Sequence, residues 1–162
     1  MEKAQNDQRT FPTPHVVRGV LFFLLIFWQG GFMFYGLIVV PIGAEITGSD
    51  FQQGLITQQV THYLNLSGGM TLLVALLYLA VLPISRRKKA WATAIWAILL
   101  ATLIAQVMVH IKMDLFIDLE NQKMISRKQF RPWHAGYLCV STAQWAIALL
   151  FGGWLLYRPP TR

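Results

Sequence analysis

Three histidines, two methionines and a pair of aspartates are the residues whose types and spacing suggest chemistry. His110 and Asp114 stand four residues apart, on one helix face if the segment is helical. That pairing suits proton handling. Met108 and Met113 flank the same histidine, and imidazole with thioether is the mixed donor set that suits copper. His62 and His134 lie in other segments. Three imidazoles from three helices at similar depth would also supply axial ligands to a haem held between helices. The candidate cofactor-binding residues are His62, His110 and His134, with Asn65 and Tyr137 near them. The candidate metal residues are His110, Met108 and Met113. The bland alternative is that these histidines anchor helix ends by hydrogen bonding and the methionines fill space.

Other polar residues recur at helical spacing within apolar surroundings. One segment carries Thr57, Thr61, Asn65 and Gly68 on a single stripe, with Gln58, His62 and Gly69 beside it. Another carries Gln106, His110 and Asp114, with Asp118 one turn on. A third carries His134, Tyr137, Ser141 and Gln144, and the first apolar run carries Gln29 and Tyr35 among glycines. Lipid-facing positions should be apolar, so these stripes mark a packed interior. They serve either as hydrogen bonds between helices or as the lining of a small-ligand site. Trp28, Trp96 and Trp145 are deep packing residues. Trp91, Trp133, Trp154, Tyr63, Tyr137 and Tyr157 suit the head-group boundaries.

The elements that must position these groups follow from composition. Of 162 residues, 55% are hydrophobic and 13% charged, half the usual ~25% charged share of soluble domains. A soluble domain this small cannot be covered by so few polar groups. The charges are clumped between four long apolar runs. We read an all-α integral membrane four-helix bundle with spans at about 19–41, 62–84, 90–111 and 134–157, since ~20 apolar residues cross the hydrocarbon. Pro41 reads as the end of the first span and Pro132 as the opening of the fourth. Ser49-Asp50-Phe51-Gln52 reads as a capped helix start, which extends the second helix beyond the membrane. Residues 1–16 form a polar N-terminal tail, 17–158 the membrane domain and 159–162 a C-terminal tail. The first apolar run is too long for a cleaved signal peptide and reads as a retained anchor.

The net charge of +7 suggests nucleic acid until its location is considered. Lys3, Arg9, Arg18, Arg86, Arg87, Lys88, Lys89, Arg158 and Arg162 fall on one side. Lys112, Lys123, Arg127, Lys128 and Arg131 fall on the other. Nine against five predicts both termini in the cytoplasm. Arg86, Arg87, Lys88 and Lys89 are then an orientation signal, with binding of anionic lipid head groups as the alternative. The single Cys139 excludes an internal disulfide or a CxxC motif, and reads as an inert apolar residue.

The strings Trp28-Gln29-Gly30-Gly31-Phe32-Met33-Phe34, Val39-Val40-Pro41, Ile56-Thr57-Gln58-Gln59-Val60-Thr61-His62-Tyr63-Leu64-Asn65 and Phe130-Arg131-Pro132-Trp133-His134-Ala135-Gly136-Tyr137 resemble the uncharacterised bacterial DUF4149/TMEM205-like membrane proteins, within a broader CopD-like group. The resemblance implies four short-looped helices in a bacterial inner membrane, with copper- and haem-handling proteins among the relatives. Those haem-handling relatives carry a histidine in the first helix, whereas His15 precedes the first span here.

No Gly-rich phosphate loop, HExxH or nucleophile elbow is present. The expected function is a non-catalytic membrane protein, an accessory or scaffold subunit. Its partners would be the bilayer and other membrane chains or a second copy of itself. Haem or metal binding is the alternative. A small-solute or proton pathway is a third, and four helices of this length would need to oligomerise to form it.

Overall fold

A computed structural model describes residues 14–118, 121 and 123–157. The bundle expected from the sequence is what forms, with four helical rods, all long and apolar enough to cross a membrane. The first rod is α1 (Pro14–Phe34), a π-helical turn at Tyr35–Val39 and α2 (Val40–Thr47). The others are α3 (Asp50–Val81), α4 (Arg86–Asp114) and α5 (Arg127–Leu156). A two-residue antiparallel hairpin, β1 (Ile117–Asp118) and β2 (Lys123–Met124), joins α4 to α5. The chain runs up and down, and each rod packs on its sequence neighbour, with α5 returning to α1. Rods of about 30 residues measure ~45 Å against a hydrocarbon core of ~30 Å, so their ends project into the head groups or beyond.

Two prolines behave differently from expectation. Pro41 does not end the first rod. Its ring would strike the carbonyl four residues back in a regular α-helix. The π turn just before it shifts the bonding to five residues, with the Val40 N–H bonded to the Tyr35 carbonyl, and the helix continues to Thr47. Gly48 then ends it in the left-handed conformation, with φ of 58°. Pro132 does not open α5. The helix begins at Arg127, where Ser126 accepts the Gln129 N–H at 3.4 Å. Pro132 therefore lies inside the helix, near its water-facing end, where the carbonyl it leaves unbonded can be hydrated. The expected start of α3 forms as read, with Ser49 accepting the Gln52 N–H at 3.4 Å. The Ser49 N–H goes back to the Thr47 hydroxyl rather than to Gln52.

The expected N-terminal tail lies mostly outside the described residues, but its last three, Pro14 to Val16, belong to α1. His15 therefore sits in the first turn of that helix. Arg158 and the tail 159–162 lie outside the described residues.

The hydrophobic core is confined to the half of the bundle nearest Arg86–Lys89. Leu21, Leu25 and Trp28 of α1 meet Leu72, Ala75 and Leu79 of α3, Leu99 of α4, and Phe151 and Leu155 of α5. Small residues set the approach of the rods. A Cβ on Gly68 would lie 2.6 Å from Trp28 Nε1, and one on Gly31 would lie 2.9 Å from Leu64 Cδ2. The Trp96 indole donates to the Leu72 carbonyl at 2.8 Å, tying α4 to α3. Arg86, Arg87, Lys88 and Lys89 form the first turn of α4, and Lys89 Nζ donates to the Ala80 carbonyl at the end of α3 at 3.0 Å.

A candidate ligand cavity in the outer half

Above the core, the rods no longer fill the space between them. A cavity of about 710 Å³ lies in the half of the bundle remote from Arg86–Lys89. Its walls come from the outer end of α1, the π turn and α2, from the first turns of α3 and α5, from the last turn of α4 and from the hairpin.

The polar side chains on its wall, with Gln106 and Thr102 of α4, which bond to wall residues without lining the cavity, are arranged in layers. At the rim, Arg127 Nη2 donates to Asp50 Oδ2, linking the first turns of α5 and α3. Both side chains are about two-thirds exposed, so the pair contributes about 1 kcal/mol at most. In the next layer His110 Nδ1 lies 3.4 Å from Asp114 Oδ2, one turn apart on α4. Across from them the Thr57 hydroxyl is fully engaged. It accepts from Tyr35 OH at 3.1 Å and from Gln53 Nε2 at 3.3 Å, and it donates to the Gln53 carbonyl at 2.8 Å. One layer deeper, Gln106 Nε2 donates to Ser141 Oγ at 3.1 Å, and Ser141 donates to the Tyr137 carbonyl at 2.8 Å. Deeper still, Gln144 Nε2 donates to Thr102 Oγ1 at 3.1 Å. Each of these last two links joins α4 to α5. Below them the wall gives way to the closed apolar core.

Two polar groups on the cavity wall have no hydrogen-bond partner among the described residues. Gln29, 6% exposed, leaves its Nε2 unpartnered, and Tyr137, 8% exposed, leaves its hydroxyl unpartnered. The Tyr137 hydroxyl lies beside Thr61 and Ser141 without a hydrogen bond of good geometry. A buried polar group without a hydrogen bond costs about 1–3 kcal/mol, which makes Gln29 Nε2 a marked feature of the wall, with the Tyr137 hydroxyl, poorly bonded beside Thr61 and Ser141, as the second. The remaining lining is aromatic and apolar, including Phe32, Tyr35, Leu138 and Trp145.

The cavity also has a side opening. Met33, Leu37 and Leu138 line it, and each is more than a third exposed. They belong to the α1 rod and to α5. Those two rods touch near the other end, where a Cβ on Gly152 would meet Leu25 Cδ2 at 3.2 Å.

Of the residues singled out from sequence, His110, His134, Met113 and Tyr137 line this cavity. His134 stacks on Phe130 with ring centroids 5.7 Å apart, and His110 lies 6.4 Å from the Tyr137 ring. His62 is not with them. It is exposed on the outside of α3 and packs edge-on against Tyr63. Successive helical residues are turned by about 100°, so Thr61 facing inward sends His62 outward. The copper set does not assemble either. Met108 is 63% exposed, whereas Met113 is buried, because the two occupy different faces of α4. Asn65 is half-buried beside the cavity, with its Oδ1 unpartnered, but does not line it. Among the described residues no group of three or more His, Cys, Asp or Glu side chains is placed to hold a metal ion. Arg86, Arg87, Lys88 and Lys89 sit at the opposite end. Gln53, which is buried and lines the cavity, and Thr102, which holds the lining Gln144 without lining the cavity itself, were passed over by the sequence reading, although each continues a stripe at a step of four.

No family model, curated protein or solved structure matches the chain.

Proposed function

We propose that this chain is a non-catalytic membrane protein that holds one small amphipathic ligand in the outer half of its bundle. The observation that carries this is the cavity wall, where apolar surface surrounds the unpartnered polar ends of Gln29 and Tyr137. A volume of about 710 Å³ falls within the ~300–1,000 Å³ of small-molecule sites. On the charge count both termini are cytoplasmic, and the cavity faces the opposite side of the membrane, a bacterial inner membrane on the family resemblance. Service as an accessory subunit is compatible with this reading. An apolar outer surface is what lipid requires of any such bundle, so it does not by itself favour a protein partner.

Identification of what copurifies tests the proposal. Gly36 and Gly54 both line the cavity, and a Cβ at either would meet nothing within 4 Å. Gly36→Phe and Gly54→Phe each place a ring at the cavity wall from a position where the Cβ itself has room. Mass spectrometry of gently purified protein should find a stoichiometric small molecule in the wild type and lose it in both variants. Equal recovery from all three proteins would refute the reading.

One observation favours haem as a second reading. His110 and His134 line the cavity from neighbouring helices, and Asp114 stands at Nδ1 of His110, leaving Nε2 for a ligand bond. A Soret band that disappears in His110→Ala would support it, and a colourless stoichiometric preparation would end it.

A further inference from the structure

We infer that the ligand is a lipophile with a flat, neutral head bearing carbonyl-type acceptors and an apolar tail that leaves sideways between the α1 rod and α5. This rests on the reading of the cavity as a ligand site and names its chemical class.

Three observations lead there. Of the unpartnered polar groups, the two that line the cavity are an amide N–H₂ at Gln29 and a hydroxyl at Tyr137, and both can donate; the unpartnered carbonyl oxygens of Asn65 and Gln106 do not line it. They lie at different depths. Gln29 packs next to Trp28, which meets Gly68, and stands near the floor with Gln144. Tyr137 is two helical turns before Gln144 and so nearer the outer rim. A head that satisfies both needs acceptors on opposite sides. The surroundings are rings, Tyr35, Tyr137, Trp145 and His110, which suit a flat body stacked or edge-on. Finally, the exposed apolar residues at the side opening, Met33, Leu37 and Leu138, provide an exit into the outer leaflet for a hydrocarbon chain. A charged head fits this floor poorly, since no cation stands near Gln29 among the lining residues. The two lining cations both stand at the rim, Arg127 joined to Asp50 and Arg131 one turn further along α5, away from the floor.

The test compares three probes of equal tail length on the detergent-purified full chain: a decyl-substituted 1,4-benzoquinone, 4-decylphenol and decylbenzene. Binding is read by equilibrium dialysis in the same detergent. The quinone should bind saturably and tightest. Gln29→Leu and Tyr137→Phe should each weaken it about two- to tenfold, the value of one hydrogen bond, and leave decylbenzene unchanged. Gln29→Leu removes an unpartnered amide N–H₂ and Tyr137→Phe a hydroxyl that makes no hydrogen bond of good geometry with its neighbours Thr61 and Ser141, and retained decylbenzene binding verifies that both variants fold. Equal affinity for quinone and decylbenzene, tighter binding of the phenol, or variants without effect would overturn the ligand class while leaving the cavity as a binding site. Failure of all three probes to bind saturably would overturn the cavity reading as well.

Discussion

Replacing Gly68 by Ala places a Cβ 2.6 Å from the indole Nε1 of Trp28. Ordinary contacts between carbon and nitrogen need about 3.5 Å or more, so the ring or the helix must retreat by nearly 1 Å. Neither has room. Trp28 is fully buried among Leu25, Leu72 and their neighbours, and α1 is already pressed against α3 at Gly31 and Leu64. Overpacking of this kind costs about 1–3 kcal/mol. For a chain of this size that corresponds to a fall of about 2–12 °C in the unfolding midpoint. Gly69 is the internal control, since a Cβ there meets nothing within 4 Å, and Ala should be neutral or stabilise by up to about 1 kcal/mol. Both variants would be followed by tryptophan fluorescence during heating in one detergent at one scan rate, because membrane proteins often unfold irreversibly. Adding Trp28→Phe to Gly68→Ala should recover part of the loss, a coupling of about 0.5–3 kcal/mol. Equal midpoints for Gly68→Ala and Gly69→Ala would refute the packing argument.

Three further outcomes are expected. Thr102→Val removes the acceptor for Gln144 Nε2 in the middle of the bundle and should cost about 0.6–2 kcal/mol in the same melting assay, whereas Thr142→Val, on an exposed position, should cost less. Asp50→Asn should change stability by less than about 1 kcal/mol despite breaking the rim pair, because both partners are largely exposed. In a Cys139→Ala background, Ser85→Cys should react with an impermeant maleimide only from the cytoplasmic side and Asn121→Cys only from the other. The reverse pattern would invert the orientation drawn from the lysines and arginines.

The number and order of the spans were legible because charges that cannot enter lipid punctuate the chain, and Arg86–Lys89 leaves no other place for a turn. Helix bounds were less legible at Pro41 and Pro132. A proline announces a missing N–H, but not whether a π turn or nearby water absorbs the consequence. The site was half legible. Topology gives a residue's depth, and that is why His62, His110 and His134 were grouped. It does not give the face. The stripe Thr57–Thr61–Asn65 already held the information that excludes His62, which lies beside it. The same rule extended by one step would have reached Gln53 on α3 and Thr102 on α4. Met108 falls off the Gln106–His110–Asp114 stripe for the same reason. The cavity itself was not legible, since no local pattern says which two rods will part.

Why those two rods part follows from the first one. Below Gln29, α1 meets both α3 and α5, through Trp28 at Gly68 and through Leu25 at Gly152. Above it, the π turn at Tyr35–Val39 adds a residue to one helical turn and re-aims everything that follows. Gly43 of α2 is then brought directly onto the Gln53 side chain of α3, a fit that any Cβ would prevent. At its outer end the rod thus packs on α3 through α2 and has no comparable packing on α5. Pro41 keeps the turn from reverting to a regular helix, because the α form would restore its ring clash. On this account the side opening is a consequence of the Tyr35–Pro41 segment rather than of anything in α5. Substituting Gly43 should therefore push α2 off α3 and narrow the gap, whereas Gly54, which has space around it, should tolerate a side chain without moving either rod.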